Sequence, residues 1–385
     1  MSARALMAAV GLFIVASSVF GEVPAPPDRP TAIVLCYHIV SDNPETSMEI
    51  SRATFRQQLQ YLEMTGYNVI PLRDLYEYVS GMRESIPDNA VVITIDDGWT
   101  SAYTEAFPEL KKRNMPFTLF IYPKIIGRTP IALNWDQIRE MADAGADIQS
   151  HTLSHPFLTK RRHPGFDDLQ YSAWLQRELA ESRRIIARET GRPVEFLAYP
   201  YGDYDTRVAR TAAKAGYLAA LTCDYGAVKF GSDPLRMKRF VIDRSMSFTD
   251  FRQYLGAEKL QLAEMTPGPG DVTDMATIVS ARIPNHENID PKSVGLALLS
   301  LDTVVPYSYD AETGAVGLEL PEEVSRLRGK DHRALVWGRD MKSGKRVEAT
   351  WTFRIPEPAP TAEASAAVAV RLPSRGAGAS GGMNR

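Results

Sequence analysis

From Thr31 to Glu258 short strand-like runs, mostly apolar, alternate with segments whose apolar residues recur at helical spacing. No other feature restricts the fold as much. Strands separated by single helices run parallel, and a parallel sheet needs helices packed on its faces. The candidate strands are Ala32–Tyr37, Asn68–Pro71, Ala90–Ile95, Phe117–Tyr122, Asp147–Ser150, Phe196–Tyr199, Leu218–Thr222 and Lys238–Ile242. Phe55, Leu59 and Leu62 share one helix face. Trp135, Ile138 and Met141 share another, with Gly145 as its stop. Leu175, Leu179, Ser182 and Ile186 line a longer helix ending at Gly191, and Val208, Ala212 and Ala215 precede a stop at Gly216. This pattern predicts an irregular (β/α) barrel of parallel strands, with an open doubly wound sheet as the alternative.

The period changes after the hinge Pro267-Gly268-Pro269-Gly270. Met275, Thr277, Val279, Ala281 and Ile283 alternate with polar residues, as do Val347, Ala349, Trp351, Phe353 and Ile355. Period 2 with frequent turn residues predicts a small all-β sandwich, Ig-like in type. The expected organisation is a signal peptide at 1–21, a proline-rich linker at 22–30, the α/β domain at 31–258, a linker at 259–271, the sandwich at 272–355 and a disordered tail at 356–385, rich in Pro, Ala, Ser and Gly.

Arg4 followed by the apolar run Ala5–Val19 and small residues up to Gly21 reads as an export signal, with an uncleaved anchor as the alternative. A periplasmic, cell-envelope or extracellular location follows, and with it an envelope or extracellular polymer as the target. The net charge of −3 gives no reason to expect a nucleic-acid partner. Cys36 and Cys223, the only two cysteines, sit in apolar runs and read as buried small hydrophobes.

Two polar stretches stand at strand ends. Thr94-Ile95-Asp96-Asp97-Gly98 places two acids beyond a buried-looking run, either as a turn or as a site where one acid holds a cation and the other handles a proton. His151-Thr152-Leu153-Ser154-His155 offers two imidazoles four residues apart, and two histidines with one carboxylate suit a catalytic zinc centre. His38 ends the first strand, and Tyr199-Pro200-Tyr201-Gly202 ends a later one. In a parallel barrel these groups gather at one rim. Trp99 and Tyr201 are candidates for stacking on a sugar or for packing at the rim, and Lys160-Arg161-Arg162-His163 reads as a solvated loop.

These residues resemble the polysaccharide deacetylase family, the NodB-homology carbohydrate esterases of family 4. Thr94–Gly98 is similar to that family's Thr-Phe-Asp-Asp-Gly, and His151–His155 to its His-Ser/Thr-x-x-His. The third motif, Arg-x-Pro-Tyr, reads Ala198-Tyr199-Pro200-Tyr201 here, without the arginine. The early Tyr37-His38 pair resembles the branch acting on poly-β-1,6-N-acetylglucosamine, in which a first-strand histidine replaces a late one.

The resemblance implies a hydrolase that removes N-acetyl groups from an N-acetylglucosamine polymer, with chitin or peptidoglycan as other polymers and a carbohydrate-binding protein on the same fold as the alternative. It implies Asp97, His151 and His155 as ligands of a divalent metal (Zn²⁺, or else Co²⁺ or Ni²⁺), Asp96 as general base and His38 as the acid for the leaving amine. It further implies the Tyr201 N–H as an oxyanion donor, and Trp99, Tyr199, Pro200 and Tyr201 at the substrate. Arg236, Lys238 and Arg239 are the candidates to replace the missing arginine. The sandwich would contact polymer or envelope.

Overall fold

The computed structural model describes residues 29–256, 258–272, 278–301, 305–320 and 328–355. The export segment, most of the proline-rich linker, Met275, Thr277 and the C-terminal tail lie outside the described residues. The α/β part runs β1 (Ala32–Tyr37), β2 (Ile39–Ser41), β3 (Glu49–Ser51), α1 (Arg52–Met64), β4 (Asn68–Val69), α2 (Leu72–Val79), β5 (Ala90–Ile95), α3 (Phe107–Lys112), β6 (Phe117–Ile121), α4 (Trp135–Asp143), β7 (Asp147–Ser150), α5 (Asp168–Thr190), β8 (Phe196–Ala198), α6 (Thr206–Lys214), β9 (Ala219–Leu221), β10 (Phe240–Val241) and α7 (Phe248–Tyr254).

Seven strands lie side by side in the order β10-β1-β5-β6-β7-β8-β9, all parallel, and β4 pairs with the first residues of β5. The two edges meet through one segment: Met237 bridges Leu221 of β9, while Phe240 and Val241 pair with Leu35 and Cys36 of β1. The sheet is therefore an incomplete barrel. Every residue of β5 and β6 is buried, which is why these strands read as unbroken apolar runs rather than as alternating ones.

Alternation survives in where the side chains pack. Val34 and Val92 join Phe120 and Met237 in one cluster, while Leu35 and Ile93 join Phe55 and Leu59 of α1 in another. The helices start and stop on sequence signals. Asn134 with Gln137 and Asp167 with Gln170 form capping boxes for α4 and α5, and Gly191 ends α5 in the left-handed conformation.

The rest forms antiparallel sheets: β11 (Glu258–Lys259), β12 (Ala263–Thr266), β13 (Ile278–Arg282), β14 (Gly295–Leu298), β15 (Tyr307–Asp310), β16 (Ala315–Glu319), β17 (Lys330–Arg339) and β18 (Arg346–Ile355). They make two four-stranded sheets, β11-β18-β17-β14 and β12-β13-β16-β15; only the β11–β18 pairing is parallel. Val279, Leu296, Val316, Leu318, Val336, Trp351 and Phe353 belong to the core of this region. Segment 258–266 supplies β11 and β12, so strands of this region begin ahead of the Pro-Gly hinge.

The two parts are joined by packing and charge. Leu299 and Leu335 extend the barrel's own core. Tyr61 of α1 donates to Glu348 of β18 at 2.5 Å, Arg346 pairs with the same carboxylate and donates to the Thr65 carbonyl, and Arg252 of α7 lies 3.4 Å away. Glu348 is 3 % exposed.

Candidate active site

The site lies at the C-terminal ends of β1, β5, β7 and β8. Its first half comes from β5. Thr94 and Asp96 extend the row of Val92, while Asp97 is turned to the same side by backbone geometry. Asp97 has φ 77° and Gly98 has φ 90°. The reversal thus starts at the acid itself, one residue before the glycine that the sequence singles out. Gly98 is needed as well, because a Cβ there would meet Ile121 and Ile126 at 3.1 Å.

Backbone strain concentrates here. Asp97, Thr152, His155 and Tyr201 all have positive φ. For residues other than glycine and asparagine this conformation is costly and persists where the surroundings hold it.

The second half comes from the turn after β7. The Nδ1 of His151 lies 2.8 Å from the Ala198 carbonyl oxygen, which can only accept. Nδ1 therefore carries the hydrogen, and Nε2 presents its lone pair. Burial pushes the His151 pKa down to about 4, against the pull of Asp96 and Asp97, so the ring is neutral near neutral pH. His155 follows, its N–H donating to Thr152 Oγ1. The buried Glu178 carboxylate of α5 accepts from Ser154 N at 3.0 Å and Ser154 Oγ at 2.9 Å, which fixes the turn. Ser182 Oγ donates to the Thr152 carbonyl at 2.8 Å.

These pieces converge on one oxygen. Asp97 Oδ1 is buried and accepts no hydrogen bond among the described residues. His155 Nε2 and His151 Nε2 stand 3.2 and 3.5 Å from it. The other oxygen of Asp97 accepts from the Trp99 indole N–H at 2.9 Å. Burial would raise the Asp97 carboxyl, but His155, His151 and His38 outweigh it and hold it well below the usual carboxylate range. An ionised oxygen facing the Nε2 atoms of two imidazoles, all three atoms within 4.8 Å of one another, is a donor set that fits a divalent cation.

Asp96 is held differently. Arg239 grips it with two bonds, Nη1 to Oδ1 and Nη2 to Oδ2, both 2.8 Å. Arg239 is fully buried and also donates to the Thr222 carbonyl and Thr94 Oγ1. Of the three basic candidates it alone reaches the acid: Arg236 pairs with Asp233, and Lys238 points outward. Burial would raise the Asp96 carboxyl, but Arg239, with His151 and His38, holds it below its ordinary value. Asp96 Oδ2 lies 3.8 Å from His151 Nε2 and accepts weakly from the Cys36 thiol at 3.4 Å. His38 brings a ring nitrogen within 4.8 Å of Asp96, and its Nδ1 is buried without a hydrogen-bond partner among the described residues. Cys36, His38 and Asp96 also bring ligand atoms within 4.8 Å of one another, but the buried guanidinium paired with Asp96 already supplies the positive charge there and opposes a second cation.

Tyr201 lies at the mouth with φ 58°, its ring 4.6 Å from that of His155. Tyr199 and Pro200 are placed otherwise than expected for substrate contacts. Both are buried; the Tyr199 ring stacks on Tyr204 at 5.2 Å and its hydroxyl donates to the Leu235 carbonyl. They pack beneath the rim. Trp99, half-buried, spends its indole N–H on Asp97.

Residues 83–220 match the family described as polysaccharide deacetylase. The chain carries a polysaccharide deacetylase domain, and its class is a hydrolase. The family is metal-dependent. The matched span contains both acids, both histidines and Tyr201, while His38 and Arg239 lie outside it, on either side. The chain is 26% identical over 210 residues to a poly-beta-1,6-N-acetyl-D-glucosamine N-deacetylase of Staphylococcus epidermidis, covering 53% of this chain and 72% of that protein. Among solved structures, IcaB from Ammonifex degensii is 27% identical with a TM-score of 0.53, covering 60% of this chain and 97% of that one. The Streptococcus pyogenes deacetylase PplD, 22% identical at a TM-score of 0.53 over 59% of this chain and 99% of its own, shares the fold.

Proposed function

We propose that this polysaccharide deacetylase removes N-acetyl groups from poly-β-1,6-N-acetylglucosamine after export from the cytoplasm. The observation that carries the reading is the pairing of a bare, buried Asp97 oxygen facing two imidazoles with an Asp96 clamped by Arg239. The early position of His38 and the poly-β-1,6-N-acetylglucosamine relatives support the choice of polymer.

Asp97, His151 and His155 would hold the divalent cation, Zn²⁺ on the strength of the nitrogen-and-carboxylate donor set. When bound, it supplies Lewis acidity, polarising the acetamide carbonyl and making water more acidic. Asp96 takes the proton of the attacking water at Oδ2. Arg239 keeps Asp96 ionised and fixes its plane. The Tyr201 N–H binds the developing oxyanion. His38 delivers a proton to the sugar nitrogen as the C–N bond breaks, leaving acetate and a free amine. Trp99 orients Asp97.

The test is acetate release from β-1,6- and β-1,4-linked N-acetylglucosamine oligomers with Zn²⁺, Co²⁺ or Ni²⁺ and a chelated control. Metal-dependent release favouring the β-1,6 series is expected. A preference for β-1,4 oligomers reassigns the polymer, and no release under any metal overturns the enzymatic reading.

A further inference from the structure

A cavity of about 540 Å³ lies in the cleft between α1 and the sandwich, and none of its lining residues belongs to the deacetylation site. The barrel wall carries Thr54, Arg56, Gln57 and Gln60 of α1. The sandwich wall carries Ser300, which follows β14, and Arg333 of β17. The two walls are fixed on each other: the Gln60 amide donates to the Leu301 carbonyl, and Leu299 belongs to the barrel's core. Ser300 Oγ is held 2.7 Å from Nδ1 of the fully buried His332. No lining residue is acidic.

Arg333 has no partner that explains it. It is half-buried, and no carboxylate among the described residues pairs with it. Its guanidinium carbon lies 5.2 Å from the Phe248 ring centroid, and that of Arg252 lies 5.7 Å from the same centroid. Burial, and then this second cation, push the Arg333 pKa below its ordinary value, so its surroundings oppose its charge. The carboxylates that answer the neighbouring arginines are already committed. Glu348 accepts from Tyr61 and pairs with Arg346 and Arg252. Glu109 pairs with Arg56 at 2.7 Å and with Arg113 at 2.5 Å. A partly desolvated cation without a counter-ion is unfavourable, and an anion arriving from outside relieves it.

We infer that this cleft binds a sugar unit bearing an anionic group, a carboxylate or a phosphate, with Arg333 as its counter-ion. The inference does not depend on the deacetylation reading. The planar fork of an arginine matches either anion. The hydroxyls of Thr54 and Ser300 and the amide of Gln57 offer donors and acceptors to sugar hydroxyls, and the volume is that of a small-ligand site. N-acetylglucosamine carries no anionic group, so occupation of the cleft marks a second glycan, distinct from the proposed substrate.

The experiment titrates the full chain calorimetrically at low ionic strength with glucuronic acid, glucose 6-phosphate, inorganic phosphate and, as neutral controls, glucose and N-acetylglucosamine. At least one of the two acidic sugars is expected to bind, more tightly than inorganic phosphate, while the neutral sugars do not bind at the cleft. The tighter of the two names the anionic group. Arg333→Gln is expected to weaken that binding about tenfold or more. Its ligand-free melting temperature is expected to stay level or rise, because an unanswered charge has been removed. Gln57→Ala is expected to weaken the acidic sugar without changing the response to inorganic phosphate. Acetate release from neutral oligomers is expected to be the same in Arg333→Gln as in the wild type. No binding of either acidic sugar overturns the site, as does equal affinity in the wild type and Arg333→Gln. Inorganic phosphate binding as tightly as glucose 6-phosphate and glucuronic acid overturns the sugar. If the wild type releases no acetate at all, the proposed function fails, and the titration still decides the cleft.

Discussion

Arg239 and Asp96 meet through two parallel bonds of 2.8 Å, although 143 residues separate them in the chain. The pair lies in the fully buried interior, where an unanswered charge is expensive. The guanidinium is therefore both a support of the fold and the group that keeps the carboxylate ionised and oriented.

Arg239→Lys separates these roles. A lysine keeps the charge but loses the planar fork that matches a carboxylate. Acetate release is expected to fall about 100-fold or more, with the metal content of the protein unchanged. Steady-state kinetics and elemental analysis of the same preparation check this. A parallel loss of metal would place Arg239 in the cation site instead.

Glu178 contacts no substrate and none of the three candidate ligands, yet it holds Ser154, which precedes His155. Glu178→Gln keeps the shape but weakens the two bonds the carboxylate accepts. Metal affinity is expected to drop by about 10- to 100-fold. A competition titration with a metallochromic chelator measures it, with circular dichroism to verify the fold.

Asp203 predicts an acid-side dependence of stability. Burial would raise its carboxyl, but the bonds from Thr159 and the contact with Arg161 hold it below its ordinary value. A folded-state value below the unfolded one means stability that is present above the unfolded value and lost as pH falls through the folded one. Asp203→Asn is therefore expected to be less stable than the wild type near neutral pH, and the gap is expected to close as the solution is acidified below the ordinary carboxylate range. Urea melts across that range provide the check.

Glu348 ties the sandwich to the barrel. Glu348→Ala leaves Arg346 and Arg252 facing each other without the carboxylate between them. Breaking such a buried pair costs about 3–5 kcal/mol. Denaturant unfolding is expected to split into two transitions, barrel and sandwich, followed separately by near-ultraviolet dichroism and limited proteolysis.

The barrel strands could be read from sequence because most are compact apolar runs between helical segments. Both acids and both histidines could be read because strand ends collect chemistry. Other features depended on packing. Arg239 was one of three basic residues, and the selecting signal is the alternation of the segment that leads into β10: Met237 is buried, Lys238 exposed and Arg239 buried. Tyr199 looked like a rim residue, but its side chain turns under the rim onto Tyr204. Glu348 lies on the outward row of an alternating strand, where water is the expected neighbour. Only the docking of α1 and α7 explains its burial. Trp99 was open between stacking and packing, and its bond to Asp97 is a further contact that neither reading anticipated.

The clamp on Asp96 comes from Arg239, one residue before the last strand of the barrel, whereas Asp97, His151 and His155 all precede it in the chain. Synthesis runs from the N-terminus, so the cation-binding trio leaves the ribosome first and the guanidinium last. A chain interrupted after β9 would retain the groups that capture metal but lack the one that prepares its base. Holding the ion and readying the base thus rest on separate pieces of the barrel, and the second piece is its closing segment.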